Sequence, residues 1–429
     1  MTTLMDRPAP TSGHSPNVGI IRHLNVFTAF ALGALAAIIT WRLSLALLPA
    51  DSESAPLFTR EDKITLLSMI AWFVGFMAGI GALIGPFRWV LGKDLSHAEN
   101  LYLAGKDMGI KRYFRYTTDH KVVGIQYLVG IIAMLAIGGG LAMMIRTDLA
   151  FPGGHFINPT VYNSLVGLHG ITMIVAMIIV ATGPFGNYIM PIMIGARDMA
   201  FPRLNALSWW VLFTAIPVLC SAWFLGGIPT GWTAYAPLSL QAGPGMNSFI
   251  ATIIIFAVST AVAGANITAT VVAMRTKGMK WNRVPIFVIG ATISVALAIP
   301  AFPTFMLSQI QTAMDRMFAT GFYDAHQGGS GWLYAHLFWI MGHPEVYVIL
   351  LPGVAILMEL TPVFVRKPLF SYNAAVLGFA GIAGLSVLVW AHHMYIAGWS
   401  PALNGPFMVT TEMISVPTGL LFLVLLGTL

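Results

Sequence analysis

The chain has 429 residues, 57% of them hydrophobic and 9% charged, against about 45–50% and about 25% in a soluble globular protein. That balance excludes a soluble domain of this size and leaves an integral membrane protein. The net charge of +6 does not indicate nucleic-acid binding, because the basic residues sit in short segments between apolar blocks and form no single face.

Taken in chain order, a mostly polar segment precedes residue 24, and no cleavable signal is expected in it. Apolar blocks then predict ten membrane-spanning helices, near 24–49, 64–92, 118–146, 161–195, 204–227, 246–275, 284–312, 331–361, 371–398 and 405–429. Each is long enough for a bilayer, which needs about 20 residues. Helices are expected because hydrocarbon cannot satisfy loose backbone groups. The one cysteine, Cys220, lies inside a block; it permits neither an internal disulfide nor a cysteine metal cluster and reads as a packing residue. The polar stretch 93–121 is the one linker-like segment, and it separates two leading spans (an extension, 1–115) from eight that follow (a core, 116–429). No short internal repeat is evident.

Charge fixes the orientation. With the N-terminus inside, the inner segments hold Arg7, Arg22, Arg88, Lys93, Lys106, Lys111, Arg112, Arg115, Lys121, Arg197, Arg203, Arg275, Lys277, Lys280, Arg283, Arg366 and Lys367. Only Arg42, Arg60, Lys63, Arg146 and Arg316 are left at or near the other side. This positive-inside bias places the 93–121 segment in the cytoplasm and supports the span count.

Ionisable groups inside spans are rare and usually functional. In Gly342-His343-Pro344-Glu345-Val346-Tyr347, His343 and Tyr347 are four apart and share a helix face. Glu345 lies roughly 200° round the axis from His343, and Pro344 removes a backbone donor and bends the helix. One bent helix therefore presents an imidazole and a phenol to one place and a carboxyl to another. In Trp390-Ala391-His392-His393-Met394 two imidazoles are adjacent. With His343 they make three neutral nitrogen donors on two spans, a set suited to copper, zinc, iron or nickel. A redox metal is favoured beside a phenol. A lone buried histidine is as readily a packing residue as a ligand; three of them with a tyrosine and a glutamate in two short strings are not.

These strings, with His336-Leu337-Phe338-Trp339 before them, resemble haem-copper oxidase subunit I. Thr117-Thr118-Asp119-His120-Lys121, Gly186-Asn187, the run Gly195-Ala196-Arg197-Asp198-Met199-Ala200-Phe201-Pro202-Arg203, and Ile414-Ser415-Val416-Pro417-Thr418-Gly419 are similar to further strings of that family. The resemblance runs from about residue 116 to the end. It implies an all-α polytopic bundle, two haems and copper. His343, His392 and His393 would bind copper, and Tyr347 would be the phenol joined to the His343 ring. His169, in Gly167-Leu168-His169-Gly170, would be one axial ligand of the low-spin haem, with Arg146 beside a haem substituent. Asp198 would open a proton path lined by Asn187, Asn205, Ser259, Thr260 and Asn266, and Glu345 would relay protons onward. The implied activity is reduction of O2 to water with proton uptake and pumping. The implied setting is the bacterial cell (inner) membrane, among other oxidase subunits and lipid. The electron donor would be cytochrome c, through a copper-bearing second subunit, or quinol.

Two features depart from the family pattern. The family's ligands for the high-spin haem, and the second ligand of the low-spin haem, would lie beyond Leu429; His14, His23, His97, His155 and His326 lie outside the spans and do not suit the role. Residues 1–429 are therefore expected to be a partial sequence, or one product of a gene split in two, unable alone to hold both haems. The family's second proton path uses a lysine where Leu421 stands, with Glu412 nearly three turns earlier. Arg197 stands where many members have proline. A nitric oxide reductase of the same superfamily is the alternative within the family, and Tyr347 argues against it. An ion-coupled transporter with Glu345 and the histidines as proton relay is the alternative of another class, but no paired inverted halves are found.

Overall fold

The computed structural model describes residues 18–49, 59–106, 108–153 and 156–429; Arg7, His14 and His155 lie outside them. Among the described residues all regular structure is helical. Nine helical stretches among the described residues are long and apolar enough to cross a membrane.

Helices α1 (Val26–Leu47) and α2 (Arg60–Ile80) form an antiparallel hairpin. Asn25 caps α1 by accepting from Phe27 and Thr28 amides, which meets donors that lipid could not. Gly75 and Gly79, four apart on α2, let the two backbones touch. A Cβ at Gly79 would lie 2.5 Å from Ala29 Cα, and one at Gly75 would lie 2.6 Å from Leu32 O. This is small-residue packing of the kind that joins helices in lipid. Past Gly81, whose φ is +88°, come α3 (Ile84–Val90) and α4 (His97–Leu103). Burial pushes the Glu99 carboxyl up, but bonds from Arg88 and Ser96 outweigh it and hold it below the usual range.

The remaining helices are α5 (His120–Asp148), α6 (Pro159–Ile179), α7 (Pro184–Tyr188), α8 (Met190–Met193), α9 (Pro202–Ser221), α10 (Leu238–Gln241), α11 (Gly245–Ala273), α12 (Ile286–Phe318), α13 (Gly331–Val365), α14 (Tyr372–Ser386), α15 (Asn404–Met413) and α16 (Ser415–Thr428). Consecutive long helices pack together: α5 on α6, α9 on α11, α11 on α12, α12 on α13, and α14 on α16. One of the prolines inside these helices is compensated by a neighbouring helix. Pro352 has no N–H for the Val348 carbonyl four residues back; Ser294 of α12 donates to that carbonyl at 2.8 Å.

One expectation needs correction. The block 371–398 is not one helix: α14 ends at Ser386, and Trp390–Met394 forms a separate 3-10 turn. The Ser386 hydroxyl bonds back to Ala383 O at 2.8 Å, and the Thr410 hydroxyl of α15 lies 3.2 Å from the Leu388 carbonyl, as from those of Pro406 and Phe407 in its own helix. A break is tolerated at membrane depth because neighbouring side chains satisfy the freed groups. Arg316, counted with the residues at or near the outer side, is fully buried at the end of α12. Its guanidinium pairs with Asp62 of α2 and also donates to Asn247 Oδ1 and the carbonyls of Ser239, Leu240, Ala242 and Gly243. The leading hairpin is thus anchored in the bundle by a buried charge pair. Phe76 adds ring contacts to Trp210 and Phe213 of α9, with centroids 6.2 and 5.9 Å away.

Candidate metal centre

The Ser330 side chain accepts from the Trp332 amide and starts α13. Thirteen positions on, the helix brings His343 into the bundle, 4% exposed. Tyr347 follows one turn later on the same face, its ring centroid 4.9 Å from that of His343. The 3-10 turn Trp390–Met394 brings His392 and His393 to the same place. One ring nitrogen from each histidine can be chosen so that all three lie within 4.8 Å of one another.

The ring atoms sort by their partners. His343 Nδ1 is 3.3 Å from His393 Nε2. Two donors on one tetrahedral metal with bonds of about 2.0–2.1 Å stand about 3.3 Å apart, so this pair fits a single ion. His392 Nδ1 is 2.9 Å from Thr411 Oγ1. The Thr411 hydroxyl donates its one hydrogen to Phe407 O at 2.6 Å. It must therefore accept from His392 Nδ1–H, and the His392 lone pair is left on Nε2. Trp339 stacks flat on His393, with centroids 3.8 Å apart and an interplanar angle of 2°. His343 Nε2 is buried with no hydrogen-bond partner. Three imidazoles whose ring nitrogens converge to within 4.8 Å fit a borderline metal such as copper. Beside them a 730 Å³ cleft is lined by His392, Tyr395, Met408, Thr411, Glu412 and Val416. That is within the roughly 300–1,000 Å³ of ordinary cofactor sites.

His169 lies on α6, away from this cluster. Its Nδ1 is 2.9 Å from Gly138 O of α5, so Nδ1 carries the proton and Nε2 is free as a ligand. Arg146 is exposed in the last turn of α5, about 12 Å along the axis from Gly138.

The acidic and polar residues form a second group. Asp198 sits in the loop before α9, its Oδ1 accepting from the Met199 amide at 2.7 Å. Burial pushes its carboxyl above the ordinary range, and the Met199 amide and His120 offset only part of this. His120 Nδ1 bonds the Asn187 carbonyl at 2.7 Å. Asn187 Oδ1, both polar atoms of the Asn205 side chain, Asn266 Nδ2 and Thr268 Oγ1 are buried without partners. Buried orphans of this kind mark sites for ordered water. Asn205 O accepts from Ser208, whose carbonyl accepts from Ser259 and whose hydroxyl meets Tyr127. Beyond lies a 30 Å³ cavity lined by Tyr127, Thr182, Ser259, Thr260 and Val348, enough for about two waters. Glu345, 4% exposed, is one turn before Val348 on α13. Among the described residues no side chain bonds its carboxyl.

Thr411, Trp339, Tyr127 and the Asp62–Arg316 pair were not singled out from sequence. Thr411 has no local spacing to His392, and Asp62 sits at a span end like any capping acid. Leu421 is 1% exposed and fills the space at Gly378, whose added Cβ would meet Leu421 Cδ2 at 2.5 Å. It is a packing residue between α16 and α14. Glu412 is exposed on the cleft.

Residues 122–429 match the family model described as Cytochrome C and Quinol oxidase polypeptide I. The chain belongs to that family. It is 39% identical over 309 residues to cytochrome c oxidase subunit 1 of Thermostichus vulcanus, a match covering 72% of this chain and 56% of that protein. To cytochrome c oxidase subunit 1 of Bacillus subtilis it is 41% identical over 306 residues, 71% of this chain and 49% of the relative. To quinol oxidase subunit 1 of Bacillus spizizenii it is 39% identical over 307 residues, 71% and 47%. The chain spans about half the length of the curated relatives it matches. Membership of this haem-copper oxidase family, with the helices above, makes it a multi-pass membrane protein and sets the transporter reading aside.

Proposed function

We propose that this chain carries the catalytic centre of a terminal respiratory oxidase in a bacterial cell membrane. The carrying observation is the cluster of His343, His392 and His393 with the Tyr347 phenol one turn along α13. In this reading copper is held by His343 Nδ1, His392 Nε2 and His393 Nε2, and His169 Nε2 ligates a low-spin haem whose substituent Arg146 approaches. Copper and haem, when bound, supply the electrons that reduce oxygen to water.

The protein's part is to orient donors and move protons. Thr411 and Trp339 fix the rings of His392 and His393. Tyr347 holds a hydroxyl proton beside the centre. Asp198 takes protons at the basic, cytoplasmic face. Asn187, Asn205, Asn266, Ser259 and Thr260 hold waters between it and Glu345, which stores a proton in an apolar surrounding. The uncompensated polar atoms along this line support the path. Residues 1–115 form an extension on the core. The donor is cytochrome c, through a copper-bearing second subunit, or quinol; relatives of both kinds match equally well.

Oxygen and nitric oxide consumption by the complete complex, with metal and haem analysis, tests the reading. Oxygen uptake is expected, and His392→Ala should remove copper and leave the low-spin haem. Nitric oxide reduction without oxygen uptake, or a preparation with neither haem nor copper, would overturn it.

A further inference from the structure

The cytoplasmic end of the leading hairpin holds a cavity of 380 Å³ outside both groups of residues described above. Its apolar wall is Ile21, Leu24, Ile80, Leu204 and Leu207, and its polar rim carries Lys93, Arg115 and Arg203 against one acid, Asp94. Arg115 bonds Arg22 O and the Tyr102 hydroxyl, and Arg203 bonds Asn100 Oδ1. Lys93 is exposed. Among the described residues none of these three cations is paired with a carboxylate; the nearby ion pair is Arg88 with Glu99. Tyr116, whose hydroxyl donates to Arg203 O at 2.5 Å, adds no negative charge, because burial pushes its phenol up.

The depth of the cavity is set by its neighbours. Helix α3 forms part of the wall and turns Phe87, Trp89 and Val90 outward, 66%, 77% and 74% exposed. Aromatic residues of this kind belong at the headgroup level, and the basic loops place this end in the cytoplasmic leaflet. A pocket with an apolar floor and an unneutralised basic rim at that depth matches an amphiphile with a negative head.

We propose that this cavity binds one anionic phospholipid of the cytoplasmic leaflet. The phosphate sits among Lys93, Arg115 and Arg203, and the first part of the acyl chains lies along Ile80, Leu204 and Leu207. The lipid would join α3 to the first turn of α9. This rests on the membrane topology and not on the redox reading, so either can fail alone.

Native mass spectrometry of the delipidated complete complex, titrated with phosphatidylglycerol, phosphatidylcholine or inorganic phosphate, tests it. Phosphatidylglycerol should bind in preference to phosphatidylcholine. Lys93→Ala should weaken phosphatidylglycerol about fivefold. Gly85 lines the cavity, and an added Cβ there meets nothing within 4 Å. Gly85→Leu should therefore fill the space without disturbing the fold and lower the bound phosphatidylglycerol count by one. Equal binding of phosphatidylcholine, or an unchanged count in Gly85→Leu, overturns the proposal. Displacement of the lipid by inorganic phosphate at comparable concentration would show a free-anion site instead and also overturns it.

Discussion

Thr411→Val tests how the centre is held together. Valine keeps the shape of threonine and removes the hydroxyl that accepts from His392 Nδ1 at 2.9 Å and donates to Phe407 O at 2.6 Å. His392 then loses the bond that fixes its tautomer and ring plane. Partners of this kind set metal affinity by about 10–100-fold, which is about 1.4–2.7 kcal/mol. Copper retention against a graded chelator should fall by that factor in Thr411→Val. Thr411→Ser should stay near the parent, because its hydroxyl can make the same two bonds. The low-spin haem band serves as the control, since His169 is oriented separately by Gly138 O. Copper held as tightly in Thr411→Val as in the parent would refute the tautomer argument.

Other changes probe the remaining links. Glu345→Gln should lower turnover about 100-fold, the scale of a lost proton-transfer group, with copper and haem retained; undiminished oxygen uptake would remove Glu345 from the path. Asp62→Asn leaves Arg316 buried without its counter-charge, a loss of about 3–5 kcal/mol. The lower end is expected because Arg316 also donates to four carbonyls and Asn247. An unshifted thermal midpoint would contradict this. The raised pKa of Asp198 means the folded chain holds that proton more tightly than the unfolded one. Its charge therefore costs nothing below the ordinary carboxylate range, and the cost grows as pH rises through the raised value. Asp198→Asn should gain relative stability as pH rises above the ordinary carboxylate range, while its proton uptake slows. A stability difference that does not vary with pH would disprove the burial argument.

The membrane class, the helical architecture and the two histidine strings were legible in the sequence. They follow from local physics: bilayer thickness sets block length, and the 3.6-residue period puts His343 and Tyr347 on one face. The period fails for His392 and His393, because α14 ends at Ser386 and a tighter turn aims both rings. Thr410, a residue on another element, lies against the broken stretch at Leu388 O. Tertiary structure also decided which ring nitrogens are free, since Thr411 and Gly138 lie far along the chain from the histidines they orient. The same holds for Arg316. Loop counting placed it at or near one membrane side, and the packed bundle, by bringing Asp62 and four carbonyls to it, keeps the charge buried there. Sequence fixes what each segment can satisfy by itself; packing decides how donors and charges with no local partner are satisfied.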